Sequence, residues 1–248
     1  MNHLQLPVPE FRRKGFSLLG HAFALFLKNA FPILIFVAIM AVPIETIKNY
    51  YYFEYGNDSS FFSPMDRMDN IIGLFFLSAV TPMVVHYILG QMTAAHAGIK
   101  PSLLWGLRKW LHMMMYGFLQ NVIIIAGIVM LVVPGLIFAV WLMLMPVFVS
   151  IEDTSQSNPL QACREMARGR FFKFAGYALG VYSAISVLSL LAIFISESVP
   201  GQSWITATIM DVWLDWLSQL LTIVLLLVYL QVKTETNEMP PDSADEVE

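Results

Sequence analysis

Charged residues are scarce in this chain, at 13% of its 248 residues. A soluble domain carries about 25% charged residues, because these side chains cover much of its surface. Hydrophobic residues make up 57% of the chain, and the mean hydropathy is +0.66. So few charges are insufficient for a soluble surface of this size, which favours a single helical domain embedded in a membrane.

Several chemical signatures are also missing. A single cysteine, Cys163, excludes an intramolecular disulfide. No nucleophile elbow, phosphate-binding loop, zinc-protease or dinucleotide motif occurs in the sequence, and no His, Cys and acid spacing is typical of a metal site. The formal net charge of -4 gives no support for a nucleic-acid partner. These absences predict a non-enzymatic protein without a cofactor.

The longest stretch without charge lies between Lys109 and Glu152, and Pro134 and Gly135 interrupt it. A straight helix over residues 113–151 would reach roughly 58 Å at about 1.5 Å per residue. The hydrocarbon core of a bilayer is only about 30 Å thick. The length therefore favours a helical hairpin that turns at Pro134-Gly135 over a single kinked helix.

Applied to the whole chain, the same criterion predicts an all-α polytopic bundle of six transmembrane helices. Two of them flank Pro134-Gly135, and the others cover residues 30–47, 71–95, 172–195 and 209–230. The predicted organisation is an N-terminal segment over 1–29, a transmembrane domain over 30–233 and a disordered acidic tail over 234–248.

Basic residues indicate the orientation of this bundle. Twelve of the fourteen lysines and arginines fall on the side of the two termini, and only Lys48 and Arg67 fall opposite. Basic residues are enriched on the cytoplasmic side of membrane proteins. We therefore expect a multi-pass protein of the cytoplasmic membrane with both termini in the cytoplasm.

A short amphipathic segment precedes each odd-numbered span. These segments begin near Phe16, Pro101 and Asn158. In the third, Asn158 is predicted to cap a helix that begins at Pro159 and ends at Gly169. The pattern predicts three interfacial helices on the cytoplasmic side and a threefold repeat of interfacial helix, span and span.

The interfacial segments carry the candidate residues for binding membrane lipids, anionic ones among them, or a protein partner of unknown identity. Basic groups beside apolar ones are attracted to anionic headgroups. The alternative is that they only anchor the helices in the interface. The candidates are Arg164, Arg168, Arg170, Lys173, Arg108 and Lys109.

Five polar residues lie within the predicted spans, where ionisable groups are costly and are candidates for function. They are His86, Gln120, Asn121, Asp211 and Asp215. His86 could relay protons or line a substrate path, or could simply hydrogen-bond a neighbouring helix. Gln120 and Asn121 favour interhelical hydrogen bonds. Asp211 and Asp215 share one helix face, as in a cation or proton site, but solvated carboxylates near a helix N-terminus are a sufficient explanation.

One stretch of about fifty residues, 126–176, resembles a known group of proteins. It combines Pro134-Gly135, Pro146 near the end of a span, Glu152, and Arg168-Gly169-Arg170. This pattern is similar to YciC-type six-span inner-membrane proteins and to the membrane domain fused to some glycerophosphodiester phosphodiesterases. The resemblance implies six spans and an uncharacterised family. The catalytic phosphodiesterase domain is absent, so its activity is not implied, and the fusion suggests work near lipid only by association.

Three functions remain open from the sequence. The first is a non-enzymatic membrane protein that organises lipid or a partner at the cytoplasmic surface. The second is a small transporter or lipid translocator that uses the bundle interior, and an enzyme is the least favoured. A continuous polar path lined by His86 and Asp215 would favour transport. A closed apolar interior with a basic cytoplasmic rim would favour the organising role.

Overall fold

The computed structural model describes residues 16–55, 75–93, 97–152, 154, 157–197 and 203–237. No strand occurs among these residues, so the predicted all-α class is confirmed. The helices are α1 (Phe16–Lys28), α2 (Ala30–Tyr55), α3 (Val80–Met92, after a 3-10 turn at Leu77–Ala79), α4 (Ile99–Met130), α5 (Val132–Leu142), α6 (Met145–Ile151), α7 (Pro159–Ala167), α8 (Phe171–Glu197) and α9 (Trp204–Asn237).

Four helical stretches among the described residues are long and apolar enough to cross a membrane. They are Ala30–Glu54, Ile99–Met130, Val132–Ile151 and Trp204–Glu235, with mean hydropathies from 1.8 to 2.4. The third of them joins α5 and α6. These stretches match four of the six predicted spans. The other two predicted spans, 71–95 and 172–195, coincide with α3 and α8 and stay predictions.

The predicted helical break between the third and fourth spans lies three residues earlier than expected. Leu131, with φ -161° and ψ 139°, is extended between α4 and α5, and α4 packs against α5. Pro134 instead lies in the first turn of α5. Backbone N–H groups there have no acceptor within the helix, so a proline costs no helical hydrogen bond. Gly135 lies within α5, and a side chain there would come within 2.6 Å of the Ile128 backbone nitrogen. Gly135 therefore serves close helix packing rather than the turn.

A second break interrupts the apolar stretch before the predicted end of the fourth span. Residues 143–144 form a turn between α5 and α6, and Pro146 lies at the start of α6. A proline ring clashes with the carbonyl of the residue four positions earlier, which prevents one continuous helix. The Ser150 hydroxyl donates a hydrogen bond to the Pro146 carbonyl oxygen at 2.6 Å, and so satisfies a carbonyl within α6.

The three predicted interfacial segments do not form three separate helices. The middle segment, from Pro101, continues directly into the third span as part of α4. The threefold repeat is therefore not confirmed. α1 and α7 are separate helices, and the ends of α7 lie where predicted. The Asn158 side chain accepts a hydrogen bond from the Leu160 backbone N–H at 3.1 Å, and Gly169 follows α7 with φ 73°.

The last described helix, α9, forms much of the core. It packs against α1, α2, α3, α6 and α8. Its residues 223–230 are all buried, among them Leu226 and Tyr229. The helix also continues through Asn237, so it includes the first four residues of the predicted tail. The rest of that tail, 238–248, and the segment 1–15 lie outside the described residues.

Candidate functional site

Polar side chains gather in two clusters near opposite ends of α9. We call the first the basal cluster; its members are His86, Ser102, Trp105, Lys109, Ser150, Glu152, Tyr229 and Lys233. We call the second the distal cluster; its members are Glu45, Lys48, Asn49, Thr208 and Asp211. Along α9, Asp211 and Lys233 lie roughly 33 Å apart at about 1.5 Å per residue. This separation is close to the thickness of a bilayer core, about 30 Å.

Glu152 is the centre of the basal cluster. Its carboxylate accepts a hydrogen bond from the Tyr229 hydroxyl at 2.7 Å and pairs with the Lys233 ammonium group. Its backbone carbonyl accepts a hydrogen bond from Lys109 Nζ at 2.7 Å. Partial burial disfavours the charged carboxylate, but the bonds from Lys233 and Tyr229 and the positive charges of Lys233 and Lys109 outweigh it. The pKa of Glu152 therefore lies below its ordinary value.

An aromatic contact joins α3 and α4 to the same cluster. Trp105 Nε1 donates to the Ser150 carbonyl oxygen at 3.0 Å, and the His86 ring stacks on the Trp105 ring with centroids 5.3 Å apart. His86 Nδ1 lies 3.0 Å from Ser102 Oγ, whose hydroxyl donates to the Gly98 carbonyl oxygen. Because that donation uses the hydroxyl hydrogen, His86 Nδ1 must be the donor to Ser102.

His86 lies at the basal end of the bundle. Its contacts with Ser102 and Trp105 bring it to the same end as Glu152. A histidine held by a serine and a tryptophan of the neighbouring helix matches the structural alternative for this residue.

The four basic residues around Gly169 divide into two pairs. Arg170 Nη2 and Lys173 Nζ lie 3.3 Å and 3.5 Å from the carboxylate of Glu235. Arg164 and Arg168 are exposed, and neither forms an ion pair with any residue that the structure describes. The Arg164 guanidinium instead lies over the Trp141 ring, 5.4 Å from its centroid. Of these four basic residues, Arg164 and Arg168 therefore keep guanidinium groups that can contact a ligand.

Both unpaired arginines line a pocket of about 730 Å³ between α5 and α7. Its lining consists of Trp141, Asn158, Leu160, Gln161, Arg164, Glu165 and Arg168. Gln161 Nε2 donates to Glu165 Oε1 at 2.8 Å, which fixes the carboxylate on the pocket wall. The other two basic candidates lie elsewhere: Arg108 is exposed on α4, and Lys109 belongs to the basal cluster.

The distal cluster joins α2 to α9. Lys48 Nζ pairs with the carboxylate of Glu45 and with Asp211 Oδ2, the latter at 3.0 Å. Asn49 Nδ2 also donates to Asp211 Oδ2 at 2.9 Å, and the Thr208 hydroxyl lies 3.3 Å from the Glu45 carbonyl oxygen. Asp211 is therefore bound between two helices and is not a freely solvated carboxylate.

A polar face continues along α9 from Asp211 and then ends. Gln219 Nε2 donates to the Asp215 carbonyl oxygen at 3.2 Å, and Thr222 Oγ1 donates to Gln219 Oε1 at 3.2 Å. Asp215 itself is half-buried. Beyond Thr222, residues 223–228 are apolar and buried, and the next polar side chain is Tyr229 in the basal cluster. Along α9, about 10 Å of apolar helix separates Thr222 from Tyr229 at about 1.5 Å per residue.

The two remaining polar candidates lie on α4. Gln120 is half-buried beside a small cavity against α6 that Met145 and Pro146 also line. Asn121 is exposed. Within the described residues, neither side chain forms the predicted interhelical hydrogen bond.

Cys163 faces the core from α7. It is fully buried, and burial raises the pKa of its thiol to about 12. A thiol that stays protonated is a poor nucleophile. This environment suits Cys163 to packing between α7 and the core.

Comparison with known proteins gives a family but no function. Neither a curated protein nor a solved structure matches this chain. The comparisons also give no support to the resemblance to YciC-type proteins or to phosphodiesterase membrane domains. A family model described as "Domain of unknown function (DUF7847)" matches residues 68–236, more than half of the chain and nearly all of α3 to α9. The chain therefore belongs to the DUF7847 family.

Proposed function

We propose that this chain is a non-enzymatic protein of the bacterial inner membrane that holds an anionic lipid, or an acidic partner protein, at the cytoplasmic surface. The observation that carries the proposal is the pair Arg164 and Arg168, which are exposed beside a pocket of about 730 Å³ and form no ion pair with the described part of the chain. Unpaired guanidinium groups on a pocket wall suit an anionic ligand, because each offers several N–H donors.

The proposed orientation has six spans, both termini in the cytoplasm and the basal cluster on the cytoplasmic side. Arg170 pairs with Glu235, two residues beyond Lys233 on α9, so the α7–α8 junction lies at the basal end. Lys109 lies there as well, whereas Lys48 belongs to the distal cluster. An excess of basic residues favours the cytoplasmic side.

A topology experiment tests this orientation. A reporter fused after Glu248 and another inserted at Asn57, outside the described residues, should report opposite sides of the membrane, with Glu248 cytoplasmic. Equal accessibility of both positions from outside would contradict the six-span arrangement.

The electrostatics of the surface support anionic lipid as a ligand. A basic residue near an anionic leaflet contributes roughly 1 kcal/mol to attraction. A guanidinium adds bidentate geometry that fits two phosphate oxygens, which an ammonium group lacks. Arg170 and Lys173 both lie against the Glu235 carboxylate, whereas Arg164 and Arg168 contact no described carboxylate, so the N–H donors of these two guanidinium groups remain for a ligand.

The experiment uses this division as its own control. We expect Arg164→Gln with Arg168→Gln to lower the anionic lipid, or the acidic protein, that co-purifies after mild solubilisation. The matched variant, Arg170→Gln with Lys173→Gln, removes the same charge and should keep the ligand. Equal losses in the two variants, or no loss in either, would refute a specific role for the pocket.

A transporter or lipid translocator remains the alternative. The polar face of α9 from Asp211 to Thr222 favours it, because polar side chains that line a helix face within a membrane often mark a path. The buried apolar residues 223–228 interrupt this face before the basal cluster. This interruption supports the organising role over transport.

A further inference from the structure

The pocket between α5 and α7 carries more chemistry than two positive charges. Its wall also presents the Glu165 carboxylate, the Gln161 amide and the face of the Trp141 indole. Building on the proposed function, we propose that it binds one phospholipid with a singly charged phosphodiester and a headgroup that carries free hydroxyls. Arg164 and Arg168 hold the phosphate, and Glu165 accepts a hydrogen bond from a headgroup hydroxyl.

The charge of the pocket supports a singly charged ligand. Among the residues that the structure describes, two guanidinium groups and one carboxylate line the pocket and together carry one positive unit. A phosphodiester carries one negative charge and balances this lining. A phosphate monoester carries about -1.5 to -2 at neutral pH and would place excess negative charge beside Glu165. A zwitterionic headgroup would bring its own cation close to Arg164 and Arg168.

The Glu165 carboxylate supplies the preference for hydroxyls. Gln161 Nε2 donates a hydrogen bond to Glu165 Oε1 at 2.8 Å, and this bond favours one orientation of the carboxylate. An ionised carboxylate only accepts hydrogen bonds, so its second oxygen needs a donor from the ligand or from water. A hydroxyl is a neutral donor and satisfies this oxygen without adding positive charge next to the arginines.

Trp141 fixes the position of the phosphate within the pocket. The Arg164 guanidinium lies 5.4 Å from its ring centroid, so the indole limits the movement of this charge while its N–H groups stay available. Tryptophan is also enriched at the level of lipid headgroups.

An apolar surface that could hold the acyl chains begins at Trp141. Trp141, Ile137 and Val133 lie four residues apart on one face of α5. Val133 is 65% exposed and no charged residue lies between Lys109 and Glu152, so this face suits hydrocarbon. A lipid whose headgroup occupies the pocket can therefore extend its chains along α5 towards Leu131.

The experiment compares lipids that differ only in the headgroup. Purified full-length chain is delipidated and titrated by native mass spectrometry with four lipids of identical acyl chains. They are phosphatidylglycerol, phosphatidylmethanol, phosphatidic acid and phosphatidylcholine. We expect phosphatidylglycerol to bind most tightly. Phosphatidylmethanol has the same phosphodiester charge and no headgroup hydroxyl, so it isolates the contribution of Glu165.

Three variants, with a fourth as control, test which residues give the preference for phosphatidylglycerol. Arg164→Gln and Arg168→Gln should each weaken phosphatidylglycerol binding on the order of tenfold, since each removes charge-assisted hydrogen bonds to phosphate. Glu165→Gln should bring phosphatidylglycerol and phosphatidylmethanol to similar affinity. Arg170→Gln with Lys173→Gln should bind as the unchanged protein does, and thermal unfolding checks that all variants are folded.

The outcomes separate this inference from the broader proposal. Equal binding of phosphatidylglycerol and phosphatidylmethanol by the unchanged protein would overturn the hydroxyl preference and leave a general anionic site. Displacement of bound lipid by soluble glycerophosphoglycerol alone would show a site for free phosphodiester and overturn the lipid assignment. Arginine-dependent binding of a poly-glutamate peptide with no lipid binding would overturn the inference but retain a partner-binding surface. Binding that is indifferent to Arg164 and Arg168 would overturn both.

Discussion

The two ends of this helical bundle are held together by different means. At the basal end, a network around Glu152 joins α3, α4, α6 and α9 through hydrogen bonds, stacked rings and charges. At the other end of α4 and α5, the turn at Leu131 contains no polar side chain, and the helices meet through Gly127 and Gly135. Where polar partners are absent, the fit of backbone against backbone must hold the helices together.

The distal cluster is intermediate in character, because its contacts are polar but join fewer helices than those of the basal network. The contacts described for it join α2 and α9, and Lys48 and Asn49 provide those to Asp211. The basal network brings together more helices than the distal one does. We therefore expect substitutions at the base to affect more of the fold than equivalent substitutions in the distal cluster, and substitutions in the glycine contact to have the largest effect.

Gly135→Ala should have the largest effect on stability. The added Cβ would lie 2.6 Å from the Ile128 backbone nitrogen and 2.9 Å from its Cα, and neither atom can move without shifting α4. Overpacking of this kind destabilises by about 1–3 kcal/mol and at times more. The melting temperature in detergent should fall clearly. Gly176→Ala is the matched control, because its Cβ would meet nothing within 4 Å. Similar melting temperatures for both variants would contradict the close contact.

Glu152→Gln should have the next largest effect. The change keeps the shape of the side chain but removes the negative charge that Lys233 and Tyr229 contact. Hydrogen bonds to charged groups contribute about 1.5–3 kcal/mol, and partial exposure reduces this value. Each kcal/mol corresponds to about 2–4 °C in a chain of this size. Asp211→Asn in the distal cluster should lower the melting temperature less. The reverse order would contradict the greater importance of the basal end.

The pH dependence of stability provides a third test. The folded state lowers the pKa of Glu152 below its ordinary value of 4.5. A lowered pKa stabilises the fold fully above the ordinary value, and this stabilisation disappears as pH falls through the lowered folded value. The melting temperature should therefore fall on acidification below pH 4.5. The Glu152→Gln variant should show a smaller fall over the same range, and an identical fall would exclude Glu152 as a source.

Local features of this fold could be predicted from the sequence because they depend on near neighbours. Asn158 caps α7, Pro159 begins it and Gly169 ends it, each for reasons that lie within a few residues. The helical break between two long apolar segments followed from length alone. Its position at Leu131 did not, because Pro134 is tolerated inside the first turn of a helix and Gly135 is used for packing.

The division of the basic residues could not be predicted from the sequence. Only Gly169 separates Arg168 from Arg170, and its left-handed φ of 73° ends α7 between them. Arg168 lines the pocket beside α7, whereas Arg170 immediately precedes α8 and lies beside Glu235. Glu235 lies in the predicted disordered tail, and its contacts with Arg170 and Lys173, more than 60 residues earlier in the chain, show its role.

The two polar clusters were missed for a related reason. Glu152 and Tyr229 are 77 residues apart, and no periodic pattern joins them. One feature of the sequence does indicate the distal cluster. Glu45 and Lys48 are three residues apart at the end of an apolar segment, a spacing that places an acid and a base on one helix face. Such a pair in a predicted span indicates a polar contact with a neighbouring helix.

Tyr229→Phe is the smallest change that tests the basal network. Phenylalanine keeps the buried ring and its edge contact with Phe148, where the centroids are 6.3 Å apart, and removes only the hydroxyl. Glu152 then loses the hydrogen bond of 2.7 Å but keeps Lys233. A single hydrogen bond contributes about 1 kcal/mol, so we expect a fall of about 2–4 °C in melting temperature. In a Glu152→Gln background the same change should have a different effect, because residues in one network are not additive. Equal effects in both backgrounds would show that the Tyr229 hydroxyl contributes independently of the Glu152 charge, and the basal network would then not act as one unit.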